Sequence, residues 1–158
     1  MSATPSDWIS NSLLAVEAAL ADSAGFRAML AAADAAAAKA KTHWQVTRSG
    51  LTGPYCLLTA HAGTVSKPDA LRVDQHLDQI DAYIAWTPAT VVGDTDKDKA
   101  IRACNELGLA LADIVALIGT GTTYPAKATV TYEIPQPCPD DGPDAGLWDC
   151  LITFTWEI

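Results

Sequence analysis

The segment DQIDAYIAW (78–86), followed after TPATVVGD (87–94) by TDKDKAIRACNELGLALADIVALIG (95–119), decides how the rest of the chain must be arranged. In its first part Ile80, Ala82, Ile84 and Trp86 alternate with Gln79, Asp81 and Tyr83, the period of a strand with one buried face. In its second part the period lengthens. Ile101, Cys104, Leu107, Leu111, Ile114, Val115 and Ile118 recur at helical spacing, so the sequence predicts a helix over 95–118 whose apolar stripe lies on a sheet. Its ends are marked. Asp94 or Thr95 can accept from the free N–H groups of the first turn, Asp96 and Asp98 suit the positive end of the helix dipole, and Gly119 suits a left-handed residue just past the last turn. The expected core where helix meets sheet is Leu111, Ile114, Ile84, Ile152 and Phe154.

Working toward the N-terminus, residues 7–40 read as helical. Ser6 can cap a first helix carrying Trp8, Ile9, Leu13, Leu14, Val16 and Leu20, and Asp22-Ser23 breaks it before an Ala-rich second segment with Phe26, Met29 and Leu30 that ends near Lys41. Strands are expected over 42–47 and 55–62, with Pro54 at a strand entry where its missing donor costs least. Residues 63–76 mix Ser, Pro, Asp and Arg without period and read as a surface excursion, the best candidate for a mobile loop.

Toward the C-terminus, Ala128, Val130, Tyr132 and Ile134 alternate with Lys127, Thr129, Thr131 and Glu133. Trp148, Cys150, Ile152, Phe154, Trp156 and Ile158 alternate with Asp149, Thr153, Thr155 and Glu157. The two runs predict a closing hairpin. Its connection over 135–146 holds Pro135, Pro137, Pro139 and Pro143 together with Asp140, Asp141 and Asp144, and is expected to project from the body toward a partner. The fold class is therefore α+β: N-terminal helices, an antiparallel or mixed sheet, one long helix packed on it and a C-terminal β-hairpin. The 158 residues are read as one domain, with a helical region over 1–41 and an α+β core over 42–158.

Charge and cysteine usage restrict function. Residues 1–102 carry nine basic and eleven acidic side chains, net −2, whereas 103–158 carry only Lys127 against eight acids, net −7. Such a surface repels a phosphate backbone, which argues against specific nucleic-acid binding. Cys56, Cys104, Cys138 and Cys150 fit neither a paired zinc motif nor a dense disulfide framework, so all four are expected to be unpaired. The start of the chain lacks a basic segment followed by an apolar run, and no stretch is apolar enough to span a bilayer; the chain reads as soluble and cytosolic.

Chemically suggestive constellations are weak. His61 and His76, with Asp74, lack the spacing of a metal site, and Cys56 and Cys150 fall on inward strand positions where they read as small apolar side chains. Gly119-Thr-Gly121 follows its helix rather than preceding it, so carbonyl groups rather than N–H groups would face a phosphate. Asp78 and Asp81 point to opposite faces of one strand. Asp140, Asp141 and Asp144 read as a solvated loop, with a weak calcium site as the alternative. The expectation is no catalytic residue, no cofactor and no metal. Trp86, Trp148 and Trp156 are accounted for by burial, which leaves Trp8 and Trp44, with Pro135, Pro137, Pro139, Asp140, Asp141, Pro143 and Asp144, as interface candidates.

The strand 77–86 followed by the helix beginning Lys97-Asp-Lys-Ala-Ile-Arg-Ala-Cys-Asn-Glu-Leu107, and the terminal strand Leu147-Trp-Asp-Cys-Leu-Ile-Thr-Phe-Thr-Trp156, resemble the tail terminator proteins of long-tailed bacteriophages. The resemblance covers 55–158. The Ala-rich region up to Lys41 and the insertion over 63–76 depart from the family's usual pattern. What it implies is a non-enzymatic virion subunit, made in the host cytoplasm and resident in the tail or neck. It would form a homo-oligomeric ring, typically a hexamer, that caps the tail tube, meets the tail tube protein and head–tail connector proteins, and lets DNA pass without specific binding; no membrane is involved. The alternatives are another head–tail connector or minor tail subunit, or a small α+β ligand-binding or enzymatic domain with an apolar pocket. For that last reading Tyr83, His61 and Tyr132 are the polar residues to inspect.

Overall fold

The computed structural model describes residues 8–70 and 72–156, with the side chains of Trp8, Thr64, Ser66, Pro68 and 72–76 outside the description. Three helices come first: α1 (Trp8–Ala21), α2 (Ala24–Met29) and α3 (Ala35–Ala40). Strands β1 (Thr42–Trp44), β2 (Tyr55–Asp69) and β3 (Arg72–Trp86) follow, then the long α4 (Asp96–Leu117). Strands β4 (Thr129–Tyr132), β5 (Gln136–Pro137) and β6 (Trp148–Thr155) end the chain. The sheet has the order β1-β2-β3-β6-β4, with β5 also on β6. Only β1–β2 is parallel, so the sheet is mixed and the expected α+β class holds.

One face of the sheet carries the core. Ile80, Ala82, Ile84 and Trp86 of β3 face the helices, as do Cys150, Ile152 and Phe154 of β6, and they join Val16, Leu20, Phe26, Leu30, Leu107 and Ile114 in one buried cluster. The strict alternation read from 78–86 is the direct consequence: one side meets helices and the other does not. α4 begins at Thr95, whose side chain accepts from Asp98 N–H while the Asp98 carboxylate accepts from Thr95 N–H. It ends before Gly119, which takes the expected left-handed conformation at φ 82°.

Four expectations need correction. The Ala-rich segment is two helices, not one: Ala31 is left-handed at φ 51°, and Asp34 caps α3 through Ala37 N–H. The break is stabilised from outside, because Lys41 Nζ donates to the free carbonyls of Leu30 at 2.7 Å and Ala31 at 3.3 Å. β1 stops at Trp44, because Gln45 turns left-handed at φ 52° and the strand leaves the sheet. The excursion expected over 63–76 is instead the outer part of the β2–β3 ribbon, paired from Gly63↔Leu77 through Ser66↔Asp74 to Asp69↔Arg72, with register shifts at 60–63 and 66–69. Finally, the buried stripe of α4 is Ala103, Leu107, Ala110 and Ile114; Ile101, Cys104 and Val115 are exposed and Leu111 is only half-buried. α4 is turned toward its small residues because α2 lies against it so closely that a Cβ on Gly25 would stand 2.6 Å from Ala110 N. Ser6, read as the first helix cap, lies outside the described residues.

Trp44 is half-buried and donates from Nε1 to Glu17 Oε2 at 2.6 Å. Glu17 is itself only 9% exposed, and this burial pushes its carboxyl above the usual range, against the smaller lowering influences of the Trp44 donor and Lys39. A raised carboxyl favours the protonated form in the fold. The stability associated with it is fully present below the ordinary Glu value of about 4.3 and is lost as pH rises through the raised one. Glu17→Gln retains an acceptor for Trp44 without the buried charge. It is expected to be at least as stable as the parent at pH 7, with the difference vanishing in melts below pH 4; a clear loss at pH 7 would show that the charge itself holds Trp44.

Candidate functional site

The second face of the sheet is polar. The pairings place Thr59, Gln79, Asp81, Thr153 and Thr155 side by side, with Thr129 and Thr131 beyond them. Asp81 is the hub of this surface. It accepts from Thr153 Oγ1 and Gln79 Nε2, each at 2.9 Å, through one carboxylate oxygen and lies 2.7 Å from His61 Nε2 through the other. His61 is about half exposed, so this pair is wet and ties the base of the β2–β3 ribbon to the sheet.

At the other end of the same face two loops fold over Tyr55 and Tyr83. Arg48, from the loop after β1, donates to Asp144 Oδ2 at 2.7 Å, and Tyr55 Oη donates to the same oxygen at 2.9 Å. The Arg48 guanidinium stands 4.5 Å from the Tyr83 ring centroid, and the two tyrosine rings are 6.1 Å apart. Tyr83 Oη donates to Asp149 Oδ2 at 2.7 Å, and Cys138 Sγ lies 3.5 Å from that oxygen. The Asp144 carboxylate holds Arg48 more firmly protonated than usual. Burial, with Asp149 accepting its hydrogen bond, pushes the Tyr83 phenol well up. Burial also raises Tyr55, Cys138 to about 11 and Cys150 to about 12. At neutral pH Arg48, Tyr55, Tyr83 and Cys138 are therefore protonated donors around two carboxylates, while Cys150 is a protonated thiol on the core face. Such an arrangement holds loops in place; it presents no thiolate or phenolate.

This network corrects the expectation that 135–146 projects from the body. Pro135, Cys138 and Asp144 are buried, β5 pairs with β6, and Cys138 N–H donates to Leu147 C=O at 2.9 Å. The loop returns because Asp144 finds Arg48 and the Tyr55 hydroxyl, a match across 96 and 89 residues that no local pattern could signal. Of the interface candidates, Pro137, Pro139, Asp140, Asp141 and Pro143 remain exposed on the outer side of the loop, whereas Pro135, Asp144 and the half-buried Trp44 are structural. The side chain of Trp8 lies outside the described residues.

Asp144→Ala would leave the Tyr55 hydroxyl buried without its acceptor, while Arg48, about half exposed, regains water. The expected loss is about 1–3 kcal/mol in urea melts. Combining it with Tyr55→Phe is expected to cost less than the two single changes added together, since the orphaned hydroxyl is then gone; strict additivity would show that the two side chains do not interact.

Other constellations stay apart. His61 sits at the ribbon base, Tyr132 lies exposed on β4, and Tyr83 is under the loops, so the three polar residues of the ligand-binding alternative do not converge. Among the described residues no group of three or more His, Cys, Asp or Glu is placed to hold a metal ion, and no helix is long and apolar enough to cross a membrane. All four cysteines are unpaired, three buried and Cys104 exposed. The space beneath α4 is filled by Leu107, Ile114, Ile84 and Ile152. A cleft of about 620 Å³ instead opens between the start of α4 and the 137–148 loop, lined by Thr87, Asp96, Lys99, Pro137, Asp140 and Trp148 among others.

The most unusual surface is elsewhere. Beyond Gly63↔Leu77 the β2–β3 ribbon has no third strand among the described residues, since β6 pairs with β3 only over 79–86 and β1 with β2 only over 56–58. It is an arm about 20 Å long. A two-stranded ribbon alone is marginally stable in water. Compared with known proteins, the chain matches no family model and no curated sequence.

Proposed function

We propose that this chain is a structural ring subunit of a long-tailed bacteriophage, a tail terminator that closes the end of the tail tube and meets the head–tail connector. The observation that carries the reading is the 63–77 arm. A ribbon with no third strand among the described residues is marginal by itself, and a ring subunit needs one surface that leaves the body and another that receives it. Several features agree with it. The core is filled, Asp81, Tyr55 and Tyr83 of the second sheet face are engaged in structural bonds, and the charge of 103–158 is strongly acidic, which keeps DNA from adhering to a lumen.

The test is assembly. Purified protein at concentrations up to the millimolar range is expected to form closed rings by negative-stain microscopy and light scattering, about six subunits each. Added to tail tubes elongating in vitro, it is expected to cap one end and stop growth. A strictly monomeric protein that neither binds tubes nor limits their length would overturn the proposal.

A further inference from the structure

The cleft of about 620 Å³ between the start of α4 and the 137–148 loop has two walls, each fixed from behind. On one side the Thr95–Asp98 capping box closes the first turn of α4. The loop leading into it is pinned by Arg102, which donates to both Asp94 carboxylate oxygens, and by Glu106, which accepts from Trp86 and Ala89. On the other side β5 pairs with β6, Cys138 N–H donates to Leu147 C=O, and Arg48 and Tyr55 hold Asp144. Leu147 packs against Gly53, where a Cβ would collide with its Cδ1. Both walls thus stand in place without a ligand, and the volume falls in the range of pre-formed ligand pockets, about 300–1,000 Å³.

Its lining is mixed. Pro88, Pro137, Pro139, Leu147 and Trp148 supply apolar surface, while Asp96, Lys99 and Asp140 bring charge. None of these three charged side chains forms a salt bridge or hydrogen bond among the described residues, although Asp94, Asp98 and Asp144 beside them all do. Trp148 differs from its counterparts in the same way. Trp44 and Trp86 each donate from Nε1 to a glutamate, whereas the half-buried Trp148 makes no such bond among the described residues. The cleft therefore gathers an indole and two carboxylates from opposite walls, none of them engaged by the fold.

We propose that this cleft binds a lysine or arginine side chain carried on an extended segment of a partner protein, its cation between Asp96 and Asp140 and its stem against Trp148. The inference goes beyond the ring reading and does not depend on it. Charge decides the sign of the ligand. Two carboxylates face one ammonium, and the 103–158 half that supplies one wall is net −7. An anion at Lys99 would meet Asp96 one turn away on the same helix face and Asp140 across the cleft. The positive end of α4, which would favour an anion, is already answered by the Asp98 carboxylate of the capping box. Lys99 is half-buried, so its stem completes the α4 wall while its head turns to water. An indole suits a cation, and a planar guanidinium best of all. Size decides for a segment over a free amine. The volume exceeds what one side chain fills, and the remaining lining of prolines, Leu147 and the Thr87 and Thr90 hydroxyls suits flanking residues and their backbone carbonyls.

The test is an NMR titration of the isotope-labelled full chain with acetyl-alanyl-arginyl-alanine amide, set against the same peptide with citrulline, the neutral isostere, or glutamate in the middle. The arginine peptide is expected to give saturable shifts at Thr87, Lys99, Asp140 and the Trp148 indole, and each of the other two to bind at least about threefold more weakly. Asp140→Asn, at an exposed position, is expected to weaken the arginine peptide by about the same factor with an unchanged melting midpoint, and Lys99→Gln to leave it at least as tight. Equal binding of the arginine and citrulline peptides would overturn the proposal, as would the absence of any saturable shift up to about 10 mM peptide. Tightest binding by the glutamate peptide, lost in Lys99→Gln, would overturn it in favour of an anion site. Spermidine binding as tightly as the arginine peptide would also overturn it, since the flanking residues then contribute nothing and the ligand is a free amine.

Discussion

Replacing Trp86 by Ala is expected to cost about 3–5 kcal/mol, which removes a large part of the stability of a domain of this size. Trp86 ends β3, is fully buried, and pairs in register with Trp148 of β6. Its ring belongs to the core cluster between sheet and helices, and its Nε1 donates to Glu106 Oε2 of α4 at 3.1 Å; the other Glu106 oxygen accepts from Ala89 N–H, also at 3.1 Å. One side chain thus fixes both the strand and the loop leading into the long helix. Trp86→Phe keeps most of the apolar volume and is expected to recover more than half of the loss. Urea titration with an unchanged m-value is the measurement; a loss below about 1 kcal/mol for the Ala variant would mean that the loop over 87–94 collapses into the space.

The second large effect is expected at Gly25. A Cβ there would lie 2.6 Å from Ala110 N and 2.8 Å from Ala110 Cα, and these are backbone atoms of a helix that cannot yield one at a time. Gly25→Val is expected to cost about 3 kcal/mol by forcing α2 away from α4, and with it Phe26 and Met29 out of the core. Gly108, on the same helix with open space at its Cβ, provides the contrast: Gly108→Ala is expected to gain about 0.5–1 kcal/mol in the same titration of the dilute subunit. Equal effects at the two glycines would show that the close contact between α2 and α4 does not form.

The unequal roles of these glycines could not be read from their surroundings in the chain, and the same holds for the stripe on α4. Periodicity found the helix over 95–118 and both of its ends, because caps and period are local. It merged two apolar faces into one stripe, and put Leu111 in the core in place of Ala103 and Ala110. A helix closely flanked by another buries its small residues, and the partner that requires this, α2, lies some eighty residues earlier.

The candidate site divides in the same way. That 135–146 is long and proline-rich was legible; that it returns to the sheet was not, since its anchor is a single carboxylate meeting Arg48 and Tyr55 from distant segments. The arm was missed for a related reason. Alternation along a strand records which side is buried, and a ribbon with no third strand has no such side, so 63–76 reads as a loop although its backbone pairs as a strand.

By itself, then, the sequence determined the α+β class, the strand over 78–86, the capped helix after it, the closing hairpin, and the inward Ile84, Ile114, Ile152 and Phe154. Those features follow from interactions within a few residues and from a single boundary between water and core. Only the tertiary structure decided which face of α4 is covered, that the proline-rich loop is tied down, and that β2 and β3 run on past Gly63↔Leu77 as a ribbon with no third strand among the described residues. Each of these depends on groups brought together from far apart in the chain, and the free energy of such a meeting has no counterpart in local pattern.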